Sequence, residues 1–141
     1  MKNIYQAARE AAGITQERSA EMIGLSVESV RAYECEKRIP SDETVLKMID
    51  VYGGNYLAYQ HLKYKTAVGN AVLPDISEMP LSNASLSLLH ELHDCLKEQE
   101  VIVEISMDGK VSDAEQEDWN RIMQKCCKLC TAIFAVQFSK K

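Results

Sequence analysis

The sequence predicts an all-α protein, and three observations carry that expectation. Breakers are scarce, with 3 Pro and 6 Gly in 141 residues, so long stretches run uninterrupted. Val, Ile and Thr do not cluster in the alternating runs that half-buried strands need. Apolar residues instead recur at helical spacing between short breaks. Hydrophobic residues at 46% and charged residues at 26% are ordinary for a folded domain. The length suits one domain, or a small domain with a second module. No stretch approaches the ~18–20 apolar residues of a membrane helix. The opening MKNIYQAARE lacks the apolar region of a signal peptide. The expectation is therefore a cytoplasmic protein whose five cysteines stay reduced.

The elements follow in order. Residues 4–12 form a first helix, ended by Gly13 as its C-terminal cap. Thr15 caps the second, with Glu17 in its first turn, and that helix stops at Ile23-Gly24. Ser26 caps a third helix over 27–34. Pro40 is a stop, and Ser41-Asp42-Glu43 starts a fourth helix that runs to Tyr52. Gly53-Gly54 ends it, and Asn55 opens a fifth over 56–65. Residues 66–82 carry Gly69, Pro74 and Pro80 and read as a linker or an ordered crossover. Beyond them, 83–105 and 113–138 read as two long helices split at Asp108-Gly109, a helical hairpin. Three parts result: a five-helix domain at 1–65, a linker at 66–82 and a hairpin module at 83–141.

The net charge of -5 does not by itself favour nucleic acid. The charge is uneven, however. Residues 1–65 hold nine basic and nine acidic side chains, whereas the remainder holds seven and twelve. The first part is the one able to approach phosphate.

The informative stretch is TQERSAEMIGLSVESVRAYE, residues 15–34. It reads as helix, tight glycine turn, helix. Ala20 is small enough for a close helix crossing, and Gly24 supplies a backbone position with positive φ. Leu25 and Val30 point inward, so the second of these helices exposes Val27, Glu28, Ser29, Arg31 and Ala32. This is the design of a helix-turn-helix, whose second helix enters the major groove. Over residues 4–60 the sequence resembles the Xre and lambda-repressor-like helix-turn-helix regulators. The matching features are Arg9 and Gly13, Thr15-Gln16-Glu17, Ala20, Gly24-Leu25-Ser26, Tyr33-Glu34 and Lys37-Arg38-Ile39-Pro40-Ser41. The resemblance implies a structural salt bridge between Arg9 and Glu34. It also implies that Gln16 contacts the DNA backbone, where helix N-terminal amides favour phosphate. It places Val27, Glu28, Ser29 and Arg31 at base-reading positions: Arg31 suits guanine O6/N7, Glu28 cytosine N4 and Val27 a thymine methyl. Lys37 and Arg38 match further backbone-contacting positions. Ser19 and Asp42 stand where the family carries apolar residues, and Cys35-Glu36 where it carries a small polar residue and glycine.

Family members act as dimers on paired half-sites, so the second part is expected to dimerise or to hold a partner. Leu86, Leu89, Leu92 and Leu96 line one face of the first hairpin helix. In the second, Trp119, Ile122, Cys126, Leu129, Ile133 and Val136 repeat at heptad spacing, a seam for a dimer or for the hairpin itself. Met123, Cys127, Cys130, Phe134 and Phe138 add another stripe, and a two-helix hairpin buries only one of them. A homodimer is the expectation. Ser112 and Glu115 form a capping-box pattern. The segment 104–115 has the outline of a calcium-binding loop, but a tight turn at Asp108-Gly109 explains the same residues. Cys126, Cys127 and Cys130, with His90, His93 and Cys95, have the residue types of a zinc site, but at apolar positions Cys serves as a small hydrophobe. No metal and no cofactor are assigned. No phosphate-binding glycine loop, nucleophile elbow or H-E-x-x-H pattern is present, so no enzyme is expected. The reading is a sequence-specific DNA-binding repressor. Its alternative is a helix-turn-helix protein-interaction module, antirepressor-like or antitoxin-like, with no preferred DNA.

Overall fold

In the computed structural model, which describes residues 3–139, all nine regular elements are helices. The chain divides after Leu73 into two compact units.

The N-terminal unit holds α1 (Ile4–Ala11), α2 (Gln16–Ile23), α3 (Val27–Glu34), α4 (Asp42–Tyr52), α5 (Tyr56–Lys65) and α6 (Ala67–Val72). The first four begin at side-chain caps. Asn3, Thr15, Ser26 and Ser41 each accept a backbone N–H from the first turn of the helix they open, which satisfies an otherwise orphaned donor. Gly24 and Gly53, both at φ 78°, end α2 and α4 in the left-handed conformation that a β-carbon disfavours. Helices of eight residues are too short to persist alone in water, so packing holds them. Tyr5, Ile23, Tyr33, Val45, Met48 and Leu57 form the core, with Ile4, Ala8, Leu25 and Ile49 packed against it.

The segment 66–82 is not a linker throughout. Its first part is α6, which packs on α5. The Thr66 hydroxyl accepts the Gly69 N–H at 2.9 Å and donates to the Leu62 carbonyl at 2.8 Å. The buried Lys63 ammonium donates to the carbonyls of Asn70 and Leu73, where helix-end carbonyls lack partners. Gly69, read from sequence as a breaker, is what permits the crossing. A β-carbon there would lie 2.0 Å from the Leu62 carbonyl oxygen.

The second unit contains α7 (Leu81–Leu96), α8 (Gln99–Ser106) and α9 (Gln116–Gln137). The expected hairpin of two helices is thus three, because 83–105 breaks at Lys97-Glu98. At the break Glu98 meets α9. The Glu98 carboxylate, 9% exposed, turns to accept from Arg121 at 3.1 Å and Lys125 at 2.5 Å. Those cations hold its carboxyl below the usual range. α7 and α8 both pack on α9. Ala84, Ile105, Ile122, Ala132 and Ala135 are buried. Trp119, Cys126, Leu129 and Val136 are half-buried, while Ile133 stays 47% exposed.

α9 starts at Gln116, one turn later than Ser112 suggested. The Ser112 backbone N–H and hydroxyl both donate to the Glu115 carboxylate, while the Glu115 N–H donates to the Ser112 carbonyl, so only the glutamate half of the box forms, in the turn ahead of the helix. Glu104 and Ser106 lie inside α8, which leaves no open twelve-residue loop. Gly109 at φ 73° makes the turn, and the Lys110 N–H donates to Asp108. Among the described residues, no group of three or more His, Cys, Asp or Glu is arranged to hold a metal. The five cysteines are free thiols. Burial, with Cys126 alongside, pushes the Cys95 thiol up, away from reactivity.

Candidate nucleic-acid interface

α2, the turn at 24–26 and α3 make the motif. The Ala20 carbonyl accepts the N–H groups of both Gly24 and Leu25, at 3.0 and 2.9 Å, and closes the turn. Ala20 is 3% exposed and Val30 1%. These two side chains fix the inner faces of the pair. The outer face of α3 then presents Glu28 and Arg31 to solvent, with Val27 and Ser29 half-exposed. Ser29 is also engaged locally: its N–H donates to the Ser26 hydroxyl, and the two hydroxyls lie 3.0 Å apart.

A polar chain runs from the core to this face. Arg9 of α1 meets Glu34 of α3 through two bonds, Nε to Oε1 at 2.5 Å and Nη2 to Oε2 at 3.0 Å. Both side chains are nearly buried, at 9% and 4% exposure. Arg9 Nη1 also donates to the Ile14 carbonyl. Gln16, at the start of α2, donates from Nε2 to Glu34 Oε2 at 2.7 Å. Its Oε1 accepts from Arg31 Nε at 3.1 Å. Glu17 Oε1 lies 3.6 Å from Arg31 Nη2. The helix-start N–H of Glu17 itself, then the Thr15 hydroxyl and the Arg31 charge, hold its carboxyl below the usual range. The sequence places Glu17 in the first turn of this helix but gives no signal for its contact with Arg31. Only the α2–α3 crossing brings it to Arg31, fourteen positions away.

Lys37 and Arg38 follow α3 in an exposed loop, and the Arg38 guanidinium sits 5.7 Å from the centre of the Tyr33 ring, within cation–π range. Between α3 and Lys37 stands Glu36 at φ 57°, a conformation costly for a residue with a β-carbon. Its carboxylate accepts from Lys65 at 2.7 Å and Asn3 at 3.1 Å. The Lys65 bond, then the Lys65 charge and the Asn3 bond, hold its carboxyl low. This acid beside the interface is therefore compensated from α5 and from the cap of α1. Neither Asn3 nor Lys65 carried a sequence signal for that role.

The two polar residues at apolar positions have polar partners as well. Ser19 is fully buried, and its hydroxyl lies 2.6 Å from the Tyr52 hydroxyl. Asp42 takes His61 Nε2 at 3.1 Å, and His61 Nδ1 lies 2.8 Å from the Tyr5 hydroxyl. Burial pushes the Tyr5 phenol far up, so it stays protonated as one link of that chain. His61 is thus a core residue joining α5 to α1 and α4.

Among the described residues, no helix is long and apolar enough to cross a membrane. No curated protein and no solved structure matches the chain. Residues 6–57 match the Helix-turn-helix family model, and that span covers α2, α3 and the polar chain from Arg9 to Arg31. The N-terminal unit accordingly contains a helix-turn-helix domain over residues 6–57, of the Xre and lambda-repressor-like kind that the sequence resembles.

Proposed function

We propose that this protein is a sequence-specific transcriptional regulator, a repressor, that binds double-stranded DNA as a dimer with α3 in the major groove. The observation that carries the reading is the division of α3. Val30, Tyr33 and Glu34 are locked inward while Glu28 and Arg31 stand free of the core. In this reading Arg31 reads guanine, Glu28 accepts from cytosine, Val27 meets a thymine methyl and Ser29 lies against a base edge. Gln16, Lys37 and Arg38 hold the phosphates that set the register. Repression is the simplest output, since a protein seated in the groove excludes others from the same DNA. Such a regulator is expected in the cytoplasm.

One domain of this size makes few phosphate and base contacts, so a second copy is needed for a tight site. The dimer surface belongs to the second unit. There Leu86, Leu89, Leu92 and Leu96 on α7 remain 42–68% exposed, and Met123 and Ile133 on α9 remain 37% and 47% exposed. Exposed apolar side chains repeated along a helix in this way suit an interaction surface.

The test is enrichment of bound sequences from random double-stranded DNA at ~0.1 M salt, where phosphate contacts still hold, with the full chain and with residues 1–73. The reading expects paired half-sites for the full chain and a single or lost site for the shorter one. It also expects Arg31→Ala to relax selection at one base pair per half-site without unfolding the protein. No enrichment with either protein refutes the DNA reading and leaves the protein-interaction module.

A further inference from the structure

The hydrogen bonds around Gln16 bear on how Arg31 is aimed. Glu34 can only accept, and Arg31 can only donate. An amide has one end of each kind. Only one orientation of Gln16 therefore satisfies both neighbours, with Nε2 toward Glu34 at 2.7 Å and Oε1 toward Arg31 Nε at 3.1 Å. Reversing the amide would set its oxygen against the carboxylate and its N–H groups against the guanidinium. Glu34 in turn cannot turn away, because Arg9 grips both its oxygens. Fixed geometry thus passes outward from a nearly buried ion pair to an arginine that is 56% exposed.

We propose that Gln16 is a positioning residue for Arg31, aligning its guanidinium before DNA arrives. The inference rests on the DNA-binding reading above and adds a role to the phosphate contact assigned to Gln16 there. An exposed arginine carries many rotamers and loses them on binding. The bond from Nε removes part of that freedom in the free protein. It also settles which edge of the guanidinium is offered. With Nε occupied, the two terminal nitrogens remain for guanine O6 and N7, a bidentate pair. Glu17, at 3.6 Å from Nη2, is close enough to attract this fork and too far to hold it by a hydrogen bond. It yields to a base without a bond being broken.

The experiment measures discrimination at each base pair of the preferred site, not affinity alone. Full-length wild type, Arg31→Ala, Gln16→Met and the double variant are titrated against that site and its single-base-pair variants. Gln16→Met keeps the packed stem and removes both hydrogen bonds, and Gln16→Ala serves if the first variant loses its helical circular dichroism. Arg31→Ala identifies the base pair that Arg31 reads. The inference expects Gln16→Met to lower discrimination at that base pair about tenfold, as for loss of a bidentate contact. Discrimination at the other base pairs stays within about twofold, well under the loss of any base contact. In the Arg31→Ala background the same change has no further effect on discrimination there. If Gln16→Met weakens every sequence by a common factor and leaves Arg31 discrimination intact, Gln16 is a phosphate contact only and the inference falls. It falls too if Arg31→Ala alters discrimination at no base pair. A wild-type protein that prefers no sequence overturns the DNA reading itself.

Discussion

Replacing Arg9 by methionine tests the ion pair that ties α1 to α3. The arginine makes three bonds, two to the Glu34 carboxylate and one to the Ile14 carbonyl. Glu34 has only 4% of its side chain exposed. Methionine keeps most of the packed stem, so the loss is dominated by polar terms. Hydrogen bonds to charged groups contribute about 1.5–3 kcal/mol each, and their losses are not additive when they share one carboxylate. The larger effect is the orphaned charge. Removing one partner from a buried pair costs about 3–5 kcal/mol, a large part of the ~5–15 kcal/mol that holds a domain together. The N-terminal unit of Arg9→Met should therefore lose about 3–5 kcal/mol in urea unfolding followed by circular dichroism. Arg9→Met/Glu34→Leu should recover most of it, since an apolar pair leaves no charge to desolvate. A single variant within about 1 kcal/mol of wild type, the range of a surface pair, would refute the view that this carboxylate depends on Arg9. A double variant as weak as the single one would refute the desolvation argument.

Three other outcomes follow from the geometry. Gly69→Ala puts a β-carbon 2.0 Å from a backbone oxygen that cannot swing aside; it should undock α6, lower stability by about 1–3 kcal/mol as overpacking does, and open residues 66–73 to limited proteolysis, whereas unchanged protection would mean that the crossing takes up the methyl by a small shift with α6 still docked. Glu98 has its carboxyl held low by Lys125 and Arg121, so its contribution is present above the ordinary carboxyl value of 4.5 and is lost as pH falls through the lower folded value. Glu98→Gln should weaken the second unit at neutral pH and flatten its acid sensitivity, read by the fluorescence of Trp119, the one tryptophan; an identical pH profile would argue against the ion pairs. Glu36→Gly relaxes the φ 57° backbone and releases the Lys65 ammonium from its ion pair beside α3, so DNA affinity should rise at low salt and the gain should shrink as salt screens it; equal affinities would show that the Glu36–Lys65 pair lies out of reach of the phosphates.

What was legible in the sequence was local. Thr15, Ser26 and Ser41 announce helix starts, and Gly24 and Gly53 announce ends, because each acts within one turn. The helix-turn-helix register follows from the same signals. What was not legible depends on partners remote in sequence. α6 was hidden because Gly69 punctuates a sequence pattern and also permits a close crossing. The break at Lys97-Glu98 carries no Gly or Pro signal, and the partners that Glu98 meets there, Arg121 and Lys125, lie 23 and 27 residues away. Ser19 and Asp42 read as departures from an apolar pattern until Tyr52 and His61 stand beside them. Within the candidate site, the types and exposure of Arg31 and Glu28 could be inferred, but the bond from Arg31 to Gln16 could not. That bond depends on the angle at which α2 crosses α3.

These polar links have one feature in common that bears on their purpose. Asn3, Tyr5 and Arg9 all belong to α1 or its cap, and they reach Glu36, His61 and Glu34. Two of the three partners flank the C-terminal end of α3. An eight-residue helix has little stability of its own, so α1 acts as a strut whose polar bonds set where α3 ends. Apolar packing tolerates substitution when volume is kept, but it specifies direction less sharply than bonds with fixed donors and acceptors. A groove-reading helix needs that direction, since bidentate base contacts tolerate little misplacement. Stability and reading should then separate in Arg9→Met/Glu34→Leu. That variant is expected to regain most of its unfolding free energy yet still select DNA poorly, because Glu34 no longer aligns Gln16. If it instead selects the wild-type sequence with undiminished discrimination, the ion pair only holds the fold, and the direction of α3 comes from the apolar core.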